Sequence, residues 1–121
     1  MSEKLLDVTE SNIVNDNVLA PLTSVVLYVL LALNDGPAHG YAVMRAVAGT
    51  ATGEPSMGPS TVYGTLQRLL QSGLVSVSRA RGSQRKRYAL TPAGHRALWS
   101  ESARLVRLAD LVRARNLVPD Q

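Results

Sequence analysis

The chain of 121 residues contains no cysteine and no phenylalanine. The lack of cysteine excludes disulfide bonds and thiolate metal sites, and it is consistent with a reducing compartment. Because 45% of the residues are hydrophobic but none is phenylalanine, the core must be aliphatic, which helices build most easily. The longest apolar run, residues 25–33, falls far short of the roughly 20 residues of a membrane span, and the first residues lack the apolar segment of a signal peptide. We therefore expect one soluble, cytoplasmic domain with no membrane partner.

Acidic residues are missing from a long central stretch. No Asp or Glu occurs between Glu54 and Glu101, although this interval holds seven basic residues. The formal net charge of +4 is also unevenly divided, with −4 on residues 1–60 and +8 on residues 61–121. A solvated surface normally mixes both signs. The second half of the chain is therefore the predicted partner of a polyanion such as nucleic acid.

The hydrophobic pattern predicts three helices, a hairpin and a final long helix. Helical periodicity and capping residues predict helices from Pro21 through Leu33, over residues 39–48, from Pro59 to Ser72, and from Pro92 to about Arg115. Alternation over residues 74–79 and 85–90 predicts two strands around a glycine-containing turn. This organisation gives a short helix or an arm at residues 1–20, a DNA-binding domain at 21–91, a dimerisation helix at 92–115 and a tail at 116–121. Residues 1–20 fit either form equally.

The third helix has an unusual polar face. Its apolar face carries Val62, Leu66 and Leu69, with Thr65 and Leu70 at the edges. The opposite face carries hydroxyl, amide and guanidinium groups but no carboxylate, whereas an ordinary surface helix carries Glu and Lys pairs. Such groups bond base edges and phosphates, although an accidentally neutral solvated face has the same composition. The predicted DNA contacts on this helix are Ser60, Thr61, Tyr63, Gly64, Gln67 and Arg68.

The hairpin tip is strongly basic. Arg79, Arg81, Arg85, Lys86 and Arg87 bracket a Gly-Ser-Gln turn with no acid between them. Such a tip is suited to grip phosphates or to enter the minor groove. Basic residues also protect edge strands from aggregation, and the two roles are compatible. We predict DNA contact for Arg81, Arg85 and Lys86.

Three spaced segments resemble the PadR family of winged-helix transcriptional regulators. They read VLLALNDGPAHGYAVMRAV, GPSTVYGTLQRLLQSGLV and RKRYALTPAGHRAL, and the resemblance covers about residues 22–115. It implies that the helix from Pro59 enters the major groove, that the hairpin is the wing, and that the last helix dimerises. It also implies that Tyr41 and Tyr63 lie at or near the DNA surface, and that Arg85 and Lys86 lie on the wing.

The chain departs from the family's usual pattern at several positions. Val62, Gly64 and Thr65 stand at variable sites of the helix motif. In the second strand, Arg87 replaces an aromatic residue and Ala89 replaces an arginine. The fold tolerates these changes easily. The operator sequence that the family's helix reads does not transfer.

The last helix carries more apolar surface than one neighbour can cover. Leu98, Leu105, Leu108 and Val112 form a stripe, which Ala109, Val106 and Trp99 widen. We therefore expect this helix to pack both on its own domain and on a partner helix. The predicted dimer contacts are Leu98, Trp99, Leu105, Leu108 and Val112. Trp99 has a second interpretation, as the floor of a small-molecule pocket.

The function expected from these patterns is sequence-specific control of transcription. The chain would act as a repressor and would bind, as a homodimer, to a pseudo-palindromic operator in double-stranded DNA. The sequence leaves open whether a small-molecule effector regulates it. The alternative is a winged-helix module that binds an acidic protein. We expect no enzyme, cofactor or metal site, since the chain has two histidines, no cysteine and no pairing of its nine acids for catalysis.

Overall fold

The computed structural model describes residues 23–51 and 58–119. The predicted arm at residues 1–20, part of the loop before the third helix and the last two residues of the tail lie outside this range. The predicted fold class is confirmed: the chain is mainly α-helical, with a small antiparallel sheet and a long C-terminal helix. The elements are α1 (Ser24–Asn34), β1 (Ala38–His39), α2 (Gly40–Thr50), α3 (Pro59–Gln71), β2 (Val75–Arg79), β3 (Lys86–Leu90) and α4 (Pro92–Ala114).

The helix ends follow from local capping residues. Helix α1 begins at Ser24, because Thr23 is the N-cap and its hydroxyl accepts a hydrogen bond from the Val26 amide; the predicted start at Pro21 lies outside the described residues. Gly73 follows α3 with φ +80°, the left-handed conformation that terminates a helix. Thr91 caps α4, where its hydroxyl accepts from the Gly94 amide at 3.0 Å and donates to the Gly73 carbonyl at 2.7 Å. Thr91 therefore joins the start of α4 to the end of α3.

The core is aliphatic apart from Tyr88, in keeping with the missing phenylalanine. Helix α1 packs against α2, α3, α4 and β3, which explains why it is apolar nearly all round. On α3 the predicted inward face is confirmed, and Thr65 is fully buried with it. The largest fully buried side chains are Val29, Leu30, Val43, Val47, Val62, Thr65 and Leu66.

The sheet has three antiparallel strands in the order β1-β3-β2. The predicted hairpin pairs Val75 with Leu90 and Arg79 with Lys86, so the strands run out from the core towards the basic tip. Strand β1 adds His39, which the sequence placed in a helix; two residues are too few to show alternation. The His39 ring Nδ1 lies 3.0 Å from the Lys86 carbonyl oxygen, so β1 also supports β3 close to the tip of the hairpin.

Helix α4 starts in close contact with the sheet. A Cβ atom on Gly94 would overlap the carbonyl oxygen of Leu74 and would lie 3.3 Å from the Leu90 side chain. Only glycine therefore allows the first turn of α4 to approach the residue that precedes β2. This contact fixes where the long helix leaves the domain.

The burial of α4 corrects one predicted dimer contact. Its buried residues are Gly94, Ala97, Leu98 and Glu101, all in the first ten positions. Leu98 is only 6% exposed and belongs to the core of its own domain, so it is removed from the predicted partner surface. No helix in the two described ranges is both long and apolar enough to cross a membrane.

Glu101 is a buried carboxylate that the sequence analysis missed. Its two oxygens accept hydrogen bonds from the Arg104 guanidinium at 2.9 and 2.6 Å. The hydrogen bond to Glu101 raises the pKa of Arg104 above its ordinary value. The spacing of an acid three residues before a base was the available signal.

Candidate nucleic-acid interface

The polar face of α3 is open to solvent. The side chains of Ser60, Tyr63, Gln67 and Arg68 are exposed, while Thr61 and Gly64 are half-buried. All six residues predicted on this helix therefore lie on its accessible side or at its margin. Because the opposite face packs into the core, α3 is held rigidly with these groups directed outward.

Gly64 leaves a bare strip in the middle of this face. Apart from the backbone of its own helix and its two chain neighbours, a Cβ atom built on Gly64 would lie within 4 Å of only one described atom, the Arg68 Nη1, at 3.9 Å. Nothing else in the described structure fills that space. A flat or convex partner can therefore approach the α3 backbone closely at this point.

Two tyrosines extend the surface from α3 to α2. Tyr41 is 58% exposed and Tyr63 is 40% exposed. The Tyr63 ring lies directly on Gly40, where a Cβ atom would be 2.9 Å from the ring carbon Cε1. The Arg45 guanidinium lies 5.9 Å from the centre of the Tyr41 ring, which places a cation over an exposed aromatic face.

The tyrosines and the wing border a shared depression of about 310 Å³. From α2 and α3 it is lined by Gly40, Tyr41 and Tyr63, and from the wing by Arg85 and Lys86. Residues far apart in sequence thus meet at one concave surface. Hydroxyl and cationic groups around a depression are suited to hold an anion such as a phosphate.

The turn of the wing has an ordered backbone. The Ser83 amide donates to the Ala80 carbonyl at 3.0 Å, and the Arg85 amide donates to the Ser83 hydroxyl at 3.1 Å. Gly82 supplies the positive φ of +77° that this turn requires. The turn therefore presents its charged side chains from a defined loop.

The basic residues of the wing are unpaired in the described part of the chain. The side chains of Arg79, Arg81, Arg85, Lys86 and Arg87 are all exposed. Ion pairs between described residues lie on α4, where Glu101 contacts Arg104 and Asp110 contacts Arg113. The wing charge is therefore available to an external polyanion.

Helix α4 exposes a second, apolar surface that extends from Trp99 past the end of the helix. Trp99 is 62% exposed, Leu108 is 43% exposed and Val112 is 39% exposed, while Leu105 is half-buried. The other exposed apolar residues here are Val106, Leu111, Leu117 and Val118. Of these four, only Val106 was part of the predicted apolar surface of the helix. This surface lies on a different element from the polar face of α3.

A protein-family model matches more than half of the chain. The family model described as "Transcriptional regulator PadR-like family" matches residues 29–100, which include α2, α3, the wing and the start of α4. A curated relative from Streptomyces fradiae, an uncharacterised 37.1 kDa protein in transposon TN4556, is 39% identical over 95 residues. The match covers 78% of this chain but 26% of the relative, so the chain spans about a quarter of that protein's length.

Solved structures share the fold. Bordetella bronchiseptica BpsR, whose DNA binding is regulated by 6-hydroxynicotinic acid, is 24% identical with a TM-score of 0.60, and the match covers 83% of this chain and 68% of BpsR. Bacillus subtilis PadR in complex with operator DNA is 22% identical with a TM-score of 0.55, covering 64% of this chain and 46% of that protein. At these identities the likeness establishes the architecture and leaves the individual contacts to be argued from this chain.

Proposed function

The chain belongs to the PadR-like family of transcriptional regulators, and we propose that it represses transcription as a homodimer bound to a pseudo-palindromic operator. The observation that carries this proposal is the acid-free surface formed by α3, the two tyrosines and the wing. The Bacillus subtilis PadR complex supports it, since a protein of the same fold was solved on operator DNA. We assign the chain no catalytic role.

The residues of the surface divide between base reading and phosphate binding. Gln67 and Arg68 project from the exposed face of α3, and their amide and guanidinium groups can form paired hydrogen bonds with adenine and guanine edges in the major groove. Ser60 and Thr61 lie in the first turn of the helix, where small polar side chains reach phosphates or base edges. Gly64 allows close approach between these two groups.

The wing and the tyrosines supply affinity that is independent of sequence. Arg81, Arg85 and Lys86 are exposed cations that neutralise phosphates and release counterions. Tyr41 and Tyr63 line the same depression from α2 and α3, and their hydroxyl groups can donate to phosphates. Each contact of this kind positions the protein on the duplex, while α3 decides which duplex is bound.

The alternative is a winged-helix module that binds an acidic protein through the same charges. A mobility-shift assay with genomic DNA fragments and excess competitor DNA, at a low and a physiological salt concentration, separates the two functions. We expect a retarded complex with a subset of fragments at both salt concentrations. Retardation that disappears with competitor at physiological salt would favour the protein-binding alternative.

Dimerisation is assigned to the exposed end of α4. A single winged helix covers only a few base pairs, and two recognition helices about one DNA turn apart supply the remaining affinity. Trp99, Leu105, Leu108 and Val112 are the predicted contacts; Leu98 belongs to the core. Leu111 extends the same exposed region.

The dimer contact is tested by replacing both Leu105 and Leu108 with Asp. The two charges would be buried without partners in the contact, so we expect monomers in sedimentation and much weaker operator binding. Arg107→Asp is the matched control, because it changes the net charge by the same amount at an exposed position of α4. A doubly substituted protein that remains a dimer with normal affinity would place the interface elsewhere.

Trp99 also offers a surface for a small-molecule effector. With His95, Arg96, Ser100 and Ala103 it borders an open depression of about 430 Å³. An aromatic acid regulates the DNA binding of BpsR, and Trp99 is the single tryptophan of the chain. The fluorescence of Trp99 therefore tests both its role in the dimer contact and its role in an effector pocket. It should change on dilution to monomers in the first case, and on addition of planar aromatic acids in the second.

A further inference from the structure

A chain of hydrogen bonds on α3 connects a buried hydroxyl to an exposed cation. The Thr65 hydroxyl donates to the Thr61 carbonyl oxygen at 2.8 Å. The Arg68 Nη2 donates to the Thr65 hydroxyl oxygen at 3.2 Å. Thr65 has no solvent exposure, whereas Arg68 is exposed.

We propose that Thr65 is a positioning residue for sequence recognition, which holds the Arg68 guanidinium in the orientation that reads a base without touching DNA itself. The inference deepens the proposed function and rests on it. It adds Thr65, which lies on the core side of α3, to the residues that determine recognition. Selection by exposure alone would have limited those residues to the outer face of the helix.

The geometry of Thr65 makes this hydroxyl a fixed acceptor. A hydroxyl group has one proton, and here that proton is committed to the Thr61 carbonyl, so the oxygen lone pairs remain for Arg68. A β-branched side chain in a helix has few rotamers, and complete burial removes the others. The acceptor that Arg68 meets is therefore rigid.

The hydrogen bond to Thr65 leaves most of the N–H donors of the Arg68 guanidinium available. One of its five N–H donors goes to Thr65, and the structure shows it no other hydrogen-bond partner within residues 23–51 and 58–119. The remaining donors can form the forked pair of bonds that guanine accepts through O6 and N7.

The Arg68 guanidinium lies at the edge of the open strip at Gly64. The Arg68 Nη1 lies 3.9 Å from the position that a Gly64 Cβ would occupy, so the charged group lies back over α3 towards its N-terminal end. The N-terminal half of a recognition helix is the part that contacts bases. Thr65 therefore holds the charge of Arg68 about one helical turn back, towards the base-reading end of α3.

Ordering Arg68 in advance reduces the entropy lost on binding DNA. An unrestrained arginine must be immobilised when it contacts a base, and prior restraint is worth roughly two- to tenfold in affinity. Because the restraint acts on one base contact, its loss falls on discrimination at that base pair and spares the contacts made by the wing.

The test uses duplexes selected from a randomised DNA library by the wild-type protein. Affinities are then measured for the selected duplex and for each of its single-base-pair variants. The proteins compared are the wild type, Thr65→Val, Thr65→Ser, Arg68→Ala and the double variant Thr65→Val with Arg68→Ala. Valine matches the shape of threonine without the hydroxyl, and serine restores the hydroxyl. A melting curve for each variant sets an assay temperature at which all are folded.

Thr65→Val is expected to lose roughly two- to tenfold discrimination at the same base pair that Arg68→Ala weakens. Thr65→Ser is expected to retain most of it, and Thr65→Val is expected to add nothing in the Arg68→Ala background. The proposal is overturned if Thr65→Val discriminates like the wild type, or if its loss persists without Arg68. It is also overturned if Arg68→Ala affects no base pair while the wild type still selects a sequence, a result that leaves the proposed function intact. A wild-type protein that selects no sequence overturns both.

Discussion

Gly64→Ala is expected to move folding stability and DNA affinity in opposite directions. Glycine inside a helix is about 1 kcal/mol less favourable than alanine, and Gly64 lies in the middle of α3. Among the described residues the added methyl group would meet the Arg68 Nη1 alone, at an ordinary contact distance of 3.9 Å, so it introduces no strain there. The free energy of unfolding should rise by about 1 kcal/mol, which raises the melting temperature by about 4–8 °C in a domain of this size.

The same methyl group should weaken the complex with DNA. It would stand on the strip where the proposed interface needs close approach, and overpacking a complementary contact costs about 1–3 kcal/mol, or roughly five- to 150-fold in affinity. Thermal melting and fluorescence anisotropy with a selected duplex measure the two effects. Gly49→Ala is the control, because the same substitution is made in α2, outside the proposed surface, and within the described residues a Cβ there meets no atom within 4 Å. A Gly64→Ala protein that is more stable and binds DNA as tightly as the wild type would refute the close approach at α3.

Four further substitutions test separate parts of the account. Arg81→Ala should weaken binding to all duplexes and flatten the salt dependence of affinity, whereas Gln67→Ala should mainly reduce discrimination between duplexes; the reverse pattern would exchange their roles. Tyr63→Phe should lower DNA affinity with little change in melting temperature, because the ring packing is kept and only the hydroxyl is lost; a large drop in melting temperature at unchanged affinity would make Tyr63 structural. Gly94→Ala should lower the free energy of unfolding by about 1–3 kcal/mol, since its methyl group overlaps backbone, and an unchanged urea midpoint would contradict that contact.

The parts of the fold that the sequence predicted well are those set by local chemistry. Helix α3 has a continuous apolar period, a proline at its start and a glycine after its end, and all three signals agree. Thr91 and Pro92 mark the start of α4 in the same way. The alternation of the hairpin predicted its two strands and the turn between them, and the structure adds the register that pairs Val75 with Leu90 and Arg79 with Lys86.

The parts that escaped prediction depend on tertiary contacts. Leu98 continues the apolar stripe of α4 without a break, and only the position at which the helix leaves the domain decides that it packs inward. Strand β1 forms because β3 offers it an edge, and its two residues carry no pattern of their own. Thr65 was placed at the edge of an apolar face, but its bond to Arg68 depends on side-chain geometry that periodicity does not contain.

DNase footprinting on the promoter next to the protein's own gene tests the central claim most directly. If α3 and the wing bind an operator as a dimer, the wild-type protein should protect two half-sites whose centres are about one DNA turn apart, or a multiple of it. A variant with Gln67→Ala and Arg68→Ala together should lose that protection at the same concentration. Protection that persists unchanged in this variant would show that the polar face of α3 does not read the operator.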